Sequence, residues 1–131
     1  NGVQLFEILS KEDFVNKFGV PTRIHNENGE HDWPGDPKHR SYYYEESFFE
    51  TCDGEFIDFY IKSPTYKVLT KYFTDGIGVG DHISVLKDFE HGVLCLRKPN
   101  EYVLESMYEG IFTLRTDEQG HILSMGYTTP M

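Results

Sequence analysis

Apolar side chains at Phe14, Val15 and Phe18 fall on one face of a helix, with polar residues between them. The flanking residues agree. Ser10 is placed to cap the N-terminus, Asp13 completes a capping-box-like pattern, and Leu9 can staple onto Phe14. Gly19 supplies a stop, Val20 can contact Val15, and Pro21 prevents continuation. The pattern predicts a helix over Ser10–Phe18.

Further along, the period changes from helical to alternating. His25–Arg40, rich in Asn, Gly, Pro, Asp and His, reads as an exposed loop. Ser41–Thr51 is a dense β-prone run containing Tyr42-Tyr43-Tyr44 and Phe48-Phe49. Asp53-Gly54 is a hairpin-turn signal, Glu55–Ile61 is the return strand, and Pro64 ends it. A second cycle follows. Tyr66–Tyr72 fits either a strand or a short helical turn, and Gly76, Gly78 and Gly80 punctuate the entry to a helix. That helix is expected to be capped by Asp81, to carry Ile83, Val85, Leu86 and Phe89, and to stop at Gly92. Strands are expected at Val93–Arg97, Tyr102–Tyr108, Gly110–Thr116 and His121–Thr128, with turns at Lys98–Glu101 and Asp117–Gly120.

The two cycles look like copies. Gly54-Glu55-Phe56-Ile57-Asp58-Phe59 matches Gly120-His121-Ile122-Leu123-Ser124-Met125 in pattern, and Pro64 and Pro130 follow at the same interval. The first cycle is longer, and the His25–Arg40 loop accommodates the difference. The expectation is one α+β domain over 1–131 with repeats at 8–64 and 76–130. Each repeat would be a helix followed by an antiparallel meander, forming one sheet with both helices on one face.

This frame resembles the fold of the β-lactamase inhibitor protein, whose repeat unit the small outer-membrane assembly lipoproteins share. The residues carrying the resemblance are Leu9-Ser10-Lys11-Glu12-Asp13-Phe14-Val15-Asn16-Lys17-Phe18-Gly19-Val20-Pro21 for a helix and its exit. Val79-Gly80-Asp81-His82-Ile83-Ser84 resembles the second helix entry, and the turns at Asp53-Gly54 and Gln119-Gly120 complete it. The first half lacks the glycine before its helix and the second lacks the proline after it. The resemblance implies an exported, non-enzymatic binding domain that uses a concave aromatic sheet.

Composition narrows the partner. Apolar residues make up 38% and aromatics 15%, with nine Tyr and ten Phe, too many for a disordered chain. A formal charge of −10 repels nucleic acid and anionic membranes; it either simply keeps an exported domain in solution or also attracts a basic protein partner. No stretch is apolar enough to span a bilayer. The start at Asn1 suggests a removed leader, hence a periplasmic, cell-surface or secreted protein, with the cytoplasm as the alternative. Any membrane tether would lie in that removed segment. Cys52 and Cys95 form no metal-type pair; they are either bridged, if the chain is exported, or two buried free thiols.

Candidate chemistry is sparse. Gly76-x-Gly78-x-Gly80 has the wrong spacing and context for a dinucleotide loop, and phosphate-binding, nucleophile-elbow and His-Glu-x-x-His motifs are missing. No cofactor or catalytic residue is therefore assigned. His25, His31 and His39, with Glu30, Asp32 and Asp36, are metal-capable, but a Gly- and Pro-rich loop offers no scaffold for a site, so no metal is expected. Trp33 in that loop is either a recognition residue or packed onto the core. Alternation puts Tyr42, Tyr44 and Glu46, or their neighbours, on the solvent face of the sheet, either as a binding row that Tyr108 and Tyr127 extend or as an ordinary cross-strand ladder. These six residues, Trp33 included, are the partner-binding candidates. The expected function is a binding or inhibitory module, monomeric or weakly dimeric. The alternatives are a small hydrolase using carboxylates such as Glu45, Glu46, Glu50 or Asp58, and an acidic immunity protein that neutralises a basic toxin.

Overall fold

A computed structural model describes residues 2–5, 7–26, 39–70, 76–86, 92–106 and 110–129. The helix is where the sequence places it: α1 spans Lys11–Phe18, and the Ser10 hydroxyl accepts the N–H of Asp13 at 3.1 Å. Gly19, at φ 90°, ends it by donating to the Val15 carbonyl. Phe14 and Phe18 are buried, whereas Val20 is exposed rather than folded back.

Eight strands form one antiparallel sheet. They are β2 (Arg23–Asn26), β3 (His39–Tyr43), β4 (Ser47–Cys52), β5 (Glu55–Ile61), β8 (Gly92–Lys98), β9 (Glu101–Ser106), β10 (Gly110–Thr116) and β11 (Ile122–Thr128), in the order β2-β3-β4-β5-β11-β10-β9-β8. Asp53 and Gly54 join β4 to β5 with φ 52° and 85°, the left-handed pair that a two-residue hairpin needs. A small second sheet contains β1 (Gly2–Gln4), β6 (Lys67–Leu69) and β7 (Ile77–Gly78), ordered β1-β6-β7.

One row of directly paired residues crosses all eight strands: Ile24, Tyr42, Phe49, Phe59, Tyr127, Phe112, Leu104 and Leu94. Its six central members are buried and its ends are partly buried. Cover comes in two pieces. Phe14 of α1 stacks on Tyr42 at 3.8 Å, and Phe18 stacks on Phe49 at 5.3 Å. Burying each such ring contributes on the order of 1.5–3 kcal/mol. Over β9–β11 the cover is Val68 and Ile77 of the small sheet with Leu86, which close against Leu104, Phe112 and Met125 around a cavity of about 10 Å³.

This architecture corrects the α+β expectation of two helix-plus-meander repeats. Among the described residues α1 is the single α-helix, and the molecule is mostly β. Where the second helix was expected there is a four-residue 3₁₀ turn, Ile83–Leu86. Phe89 lies outside the described residues. The reason is visible at Asp81. Its carboxylate accepts the Gly78 N–H and the Lys67 ammonium, both at 2.8 Å, so it holds the small sheet rather than capping a helix. His82 then bridges to His121 and anchors the turn to the β10–β11 hairpin.

Candidate functional site

Side chains alternate across a strand, so the row beside the buried one faces away from α1 and the small sheet. Its paired positions run Arg23, Tyr43, Phe48, Tyr60, Gly126, Thr113, Val103 and Cys95. The first four are a strip of one cation and three aromatics in adjacent register positions. Arg23 lies 4.1 Å from the Tyr43 ring centre, Tyr43 and Phe48 rings are 5.1 Å apart, and Lys62 reaches Tyr60 at 5.5 Å. Tyr43 and Phe48 are half-buried and Tyr60 is 37% exposed. The row continues as Gly126, where an added Cβ would make ordinary contact with Thr113 and the Phe59 carbonyl.

The next row on this face is polar: His25, Ser41, Glu50, Asp58 and Thr128 are successive partners. Glu50 and Asp58 are therefore adjacent, and the His39 imidazole lies 3.8 Å from Glu50. Burial pushes the Asp58 carboxyl above its usual range, partly offset by the Phe59 N–H. The strip thus places rigid aromatic area and two cations beside two carboxylates on one sheet face, where Ser41 is 2% exposed and the Glu50 side chain 19%. Such a surface suits macromolecular recognition, because Tyr and Arg bring large contact area with few rotors to freeze.

The sequence-derived row is placed differently. Tyr42 is 1% exposed and Tyr127 is 2% exposed, both in the core row instead of facing solvent. Tyr44 is half-buried and donates its hydroxyl to the Gly19 carbonyl at 2.8 Å; burial, then neighbouring Tyr66 and Tyr42, push its pKa up to about 12. Glu46 is exposed, but in the β3–β4 turn and not on the strip. Trp33 and Tyr108 lie outside the described residues, as do His31, Glu30, Asp32 and Asp36. The error is one of parity. Ser41–Thr51 is not one strand, because Tyr44 N–H bonds the Ser47 carbonyl and the chain reverses there. A usable signal was present in β5, where Asp58 out, Phe59 in, Tyr60 out and Ile61 in mark the outward parity.

Among the described residues no group of three metal-capable side chains converges. Cys52 and Cys95 are free thiols on β4 and β8, with four strands between them, roughly 24 Å at the usual strand spacing, which excludes a bridge within the chain. Cys95 is exposed, not buried as expected for a free thiol. Burial and the carboxylates of Asp53, Glu55 and Glu50 push the Cys52 thiol up. A shallow concavity of about 630 Å³ beside the start of α1 mixes Lys11 and Arg40 with Glu12 and Asp53, so it has no charge preference.

No protein-family model matches the chain, and no curated protein matches it. A solved structure of similar fold is that of an extracellular protein containing a SCP domain from Bacillus anthracis strain Ames. The two are 15% identical, with a TM-score of 0.51 over 91% of this chain and 42% of that one. This chain therefore spans less than half of that protein's length. Among the described residues no helix is long and apolar enough to cross a membrane.

Proposed function

We propose that this chain is an exported, non-catalytic binding or inhibitory module that recognises a basic protein partner through the open face of its sheet. The observation that carries this reading is the strip Arg23–Tyr43–Phe48–Tyr60, with Lys62 at its end, on the face that α1 and the small sheet leave uncovered. Glu50, Asp58 and the net charge of −10 favour a partner whose rim is cationic. Trp33, between β2 and β3 in sequence and outside the described residues, is carried forward as a recognition candidate from its sequence setting alone. An exported setting is favoured by the likeness to a protein described as extracellular. The sequence resemblance of Leu9–Pro21 to the β-lactamase inhibitor group points to the same kind of role.

A carboxylate-dependent hydrolase is less well supported. Glu50 and Asp58 lie side by side on one sheet face, and neither lines a concavity found among the described residues. Neutralisation of a basic toxin would use the same face as any other basic partner. The test is a photo-crosslinking residue at position 60, followed by affinity measurement on the captured protein. Phe48→Ala and Tyr60→Ala are expected to weaken binding by about tenfold or more each, at unchanged fold. A partner whose affinity both substitutions leave unchanged contradicts the proposal.

A further inference from the structure

We infer that β8 is the contact edge of a weak homodimer, pairing antiparallel with β8 of a second copy about a two-fold axis. This inference is independent of the open face. β2 and β8 end the sheet, and they differ as edges. β2 has four residues and carries exposed Arg23 and His25, features that discourage pairing with another chain. β8 has seven residues, and its centre, Leu94-Cys95-Leu96, contains neither charge nor proline. Leu96 is 64% exposed and Cys95 is exposed. The one irregularity against β9 falls at the C-terminal end, between Leu96 and Lys98. Among the described residues β9 is the strand that pairs with β8, which leaves outward N–H and C=O groups as a template for a further strand.

The charge pattern selects a second copy as the occupant. Cys95 is the midpoint of Gly92–Lys98, so full-length antiparallel self-pairing sets Cys95 opposite its copy and Leu94 opposite Leu96. Arg97 and Lys98 then lie at opposite ends of the paired strands, and like charges do not meet. The cationic end of one β8 then lies beside position 93 of the other copy, which pairs inward with exposed Glu105, so opposite charges come together there. The net charge of −10 on each copy opposes association and makes the dimer weak.

Sedimentation equilibrium of the full chain under reducing conditions tests this. The expected result is a concentration-dependent monomer–dimer equilibrium whose Kd rises by about tenfold or more in Cys95→Lys, with an unchanged melting temperature. Leu96→Glu serves if the first variant folds poorly. Amide exchange at high concentration should slow at alternate positions of β8, and oxidised Cys52→Ser should cross-link through Cys95. A chain that stays monomeric, a dimer that both variants leave intact, or a dimer that vanishes with reductant overturns the inference.

Discussion

The two faces of the eight-stranded sheet use the same kind of residue for opposite ends. On one, Phe14 and Phe18 of α1 cover Tyr42 and Phe49, and Phe59 and Tyr127 beside them are buried and stacked at 5.0 Å. On the other, Tyr43, Phe48 and Tyr60 stand partly in water, flanked by Arg23 and Lys62. Neighbours in sequence therefore fall into different classes, and the deciding factor is which face has cover. Aromatic content alone separates neither class, because both faces draw on the same run of Tyr and Phe.

Phe48 and Phe49 make the sharpest contrast. Phe49→Ala is expected to lose about 3–5 kcal/mol in urea unfolding, because Phe14, Phe18, Phe56 and Tyr66 close around that ring. Phe48→Ala should lose about 1 kcal/mol or less. Equal losses would show that the two faces are equally covered.

A second test concerns what holds the cover over β9–β11. His82 Nε2 donates to the Gln119 carbonyl at 2.7 Å, while Nδ1 accepts the Ser84 N–H at 3.1 Å, a proton arrangement inferred from these partners. Removing the ring in His82→Ala should cost about 1–2 kcal/mol and speed amide exchange in Ile83–Leu86 before it does so in α1. Uniform acceleration across both pieces of cover would contradict their separate anchoring.

The smallest effect belongs to the open face. The folded state raises the Asp58 pKa above its ordinary 3.8, so it binds more protons than the unfolded chain between those two values. Stability therefore falls as pH rises through that window, and the charge is a standing penalty above it. Asp58→Asn should raise the urea midpoint slightly at pH 7, with the difference closing below pH 3.8. A lowered midpoint at pH 7 would mean that the carboxylate is needed for more than charge.

Much of this was legible in the residues and some was not. The helix and the Asp53-Gly54 turn were readable because cap, stop and left-handed turn residues act locally. The second helix was misread because Asp81 has the right type for a cap, yet Lys67 and Gly78 claim its carboxylate, and Lys67 is distant in sequence. The faces of Tyr42 and Tyr44 are not legible because the reversal at Tyr44–Ser47 runs through Glu45 and Glu46, which carry no turn signature. One missed reversal exchanges the faces of everything before it. Which face is covered depends on α1 and the small sheet, and alternation within a strand does not encode that.

Hydroxyl-radical footprinting of the free chain, read by mass spectrometry at single aromatic residues, tests the assignment of the two faces in one experiment. Tyr60, Tyr43 and Phe48 are expected to be oxidised readily, and Tyr42, Phe49 and Tyr127 to be protected. Ready oxidation of Tyr42 and Tyr127 with protection of Tyr43 and Tyr60 would reverse the faces and remove the proposed binding surface.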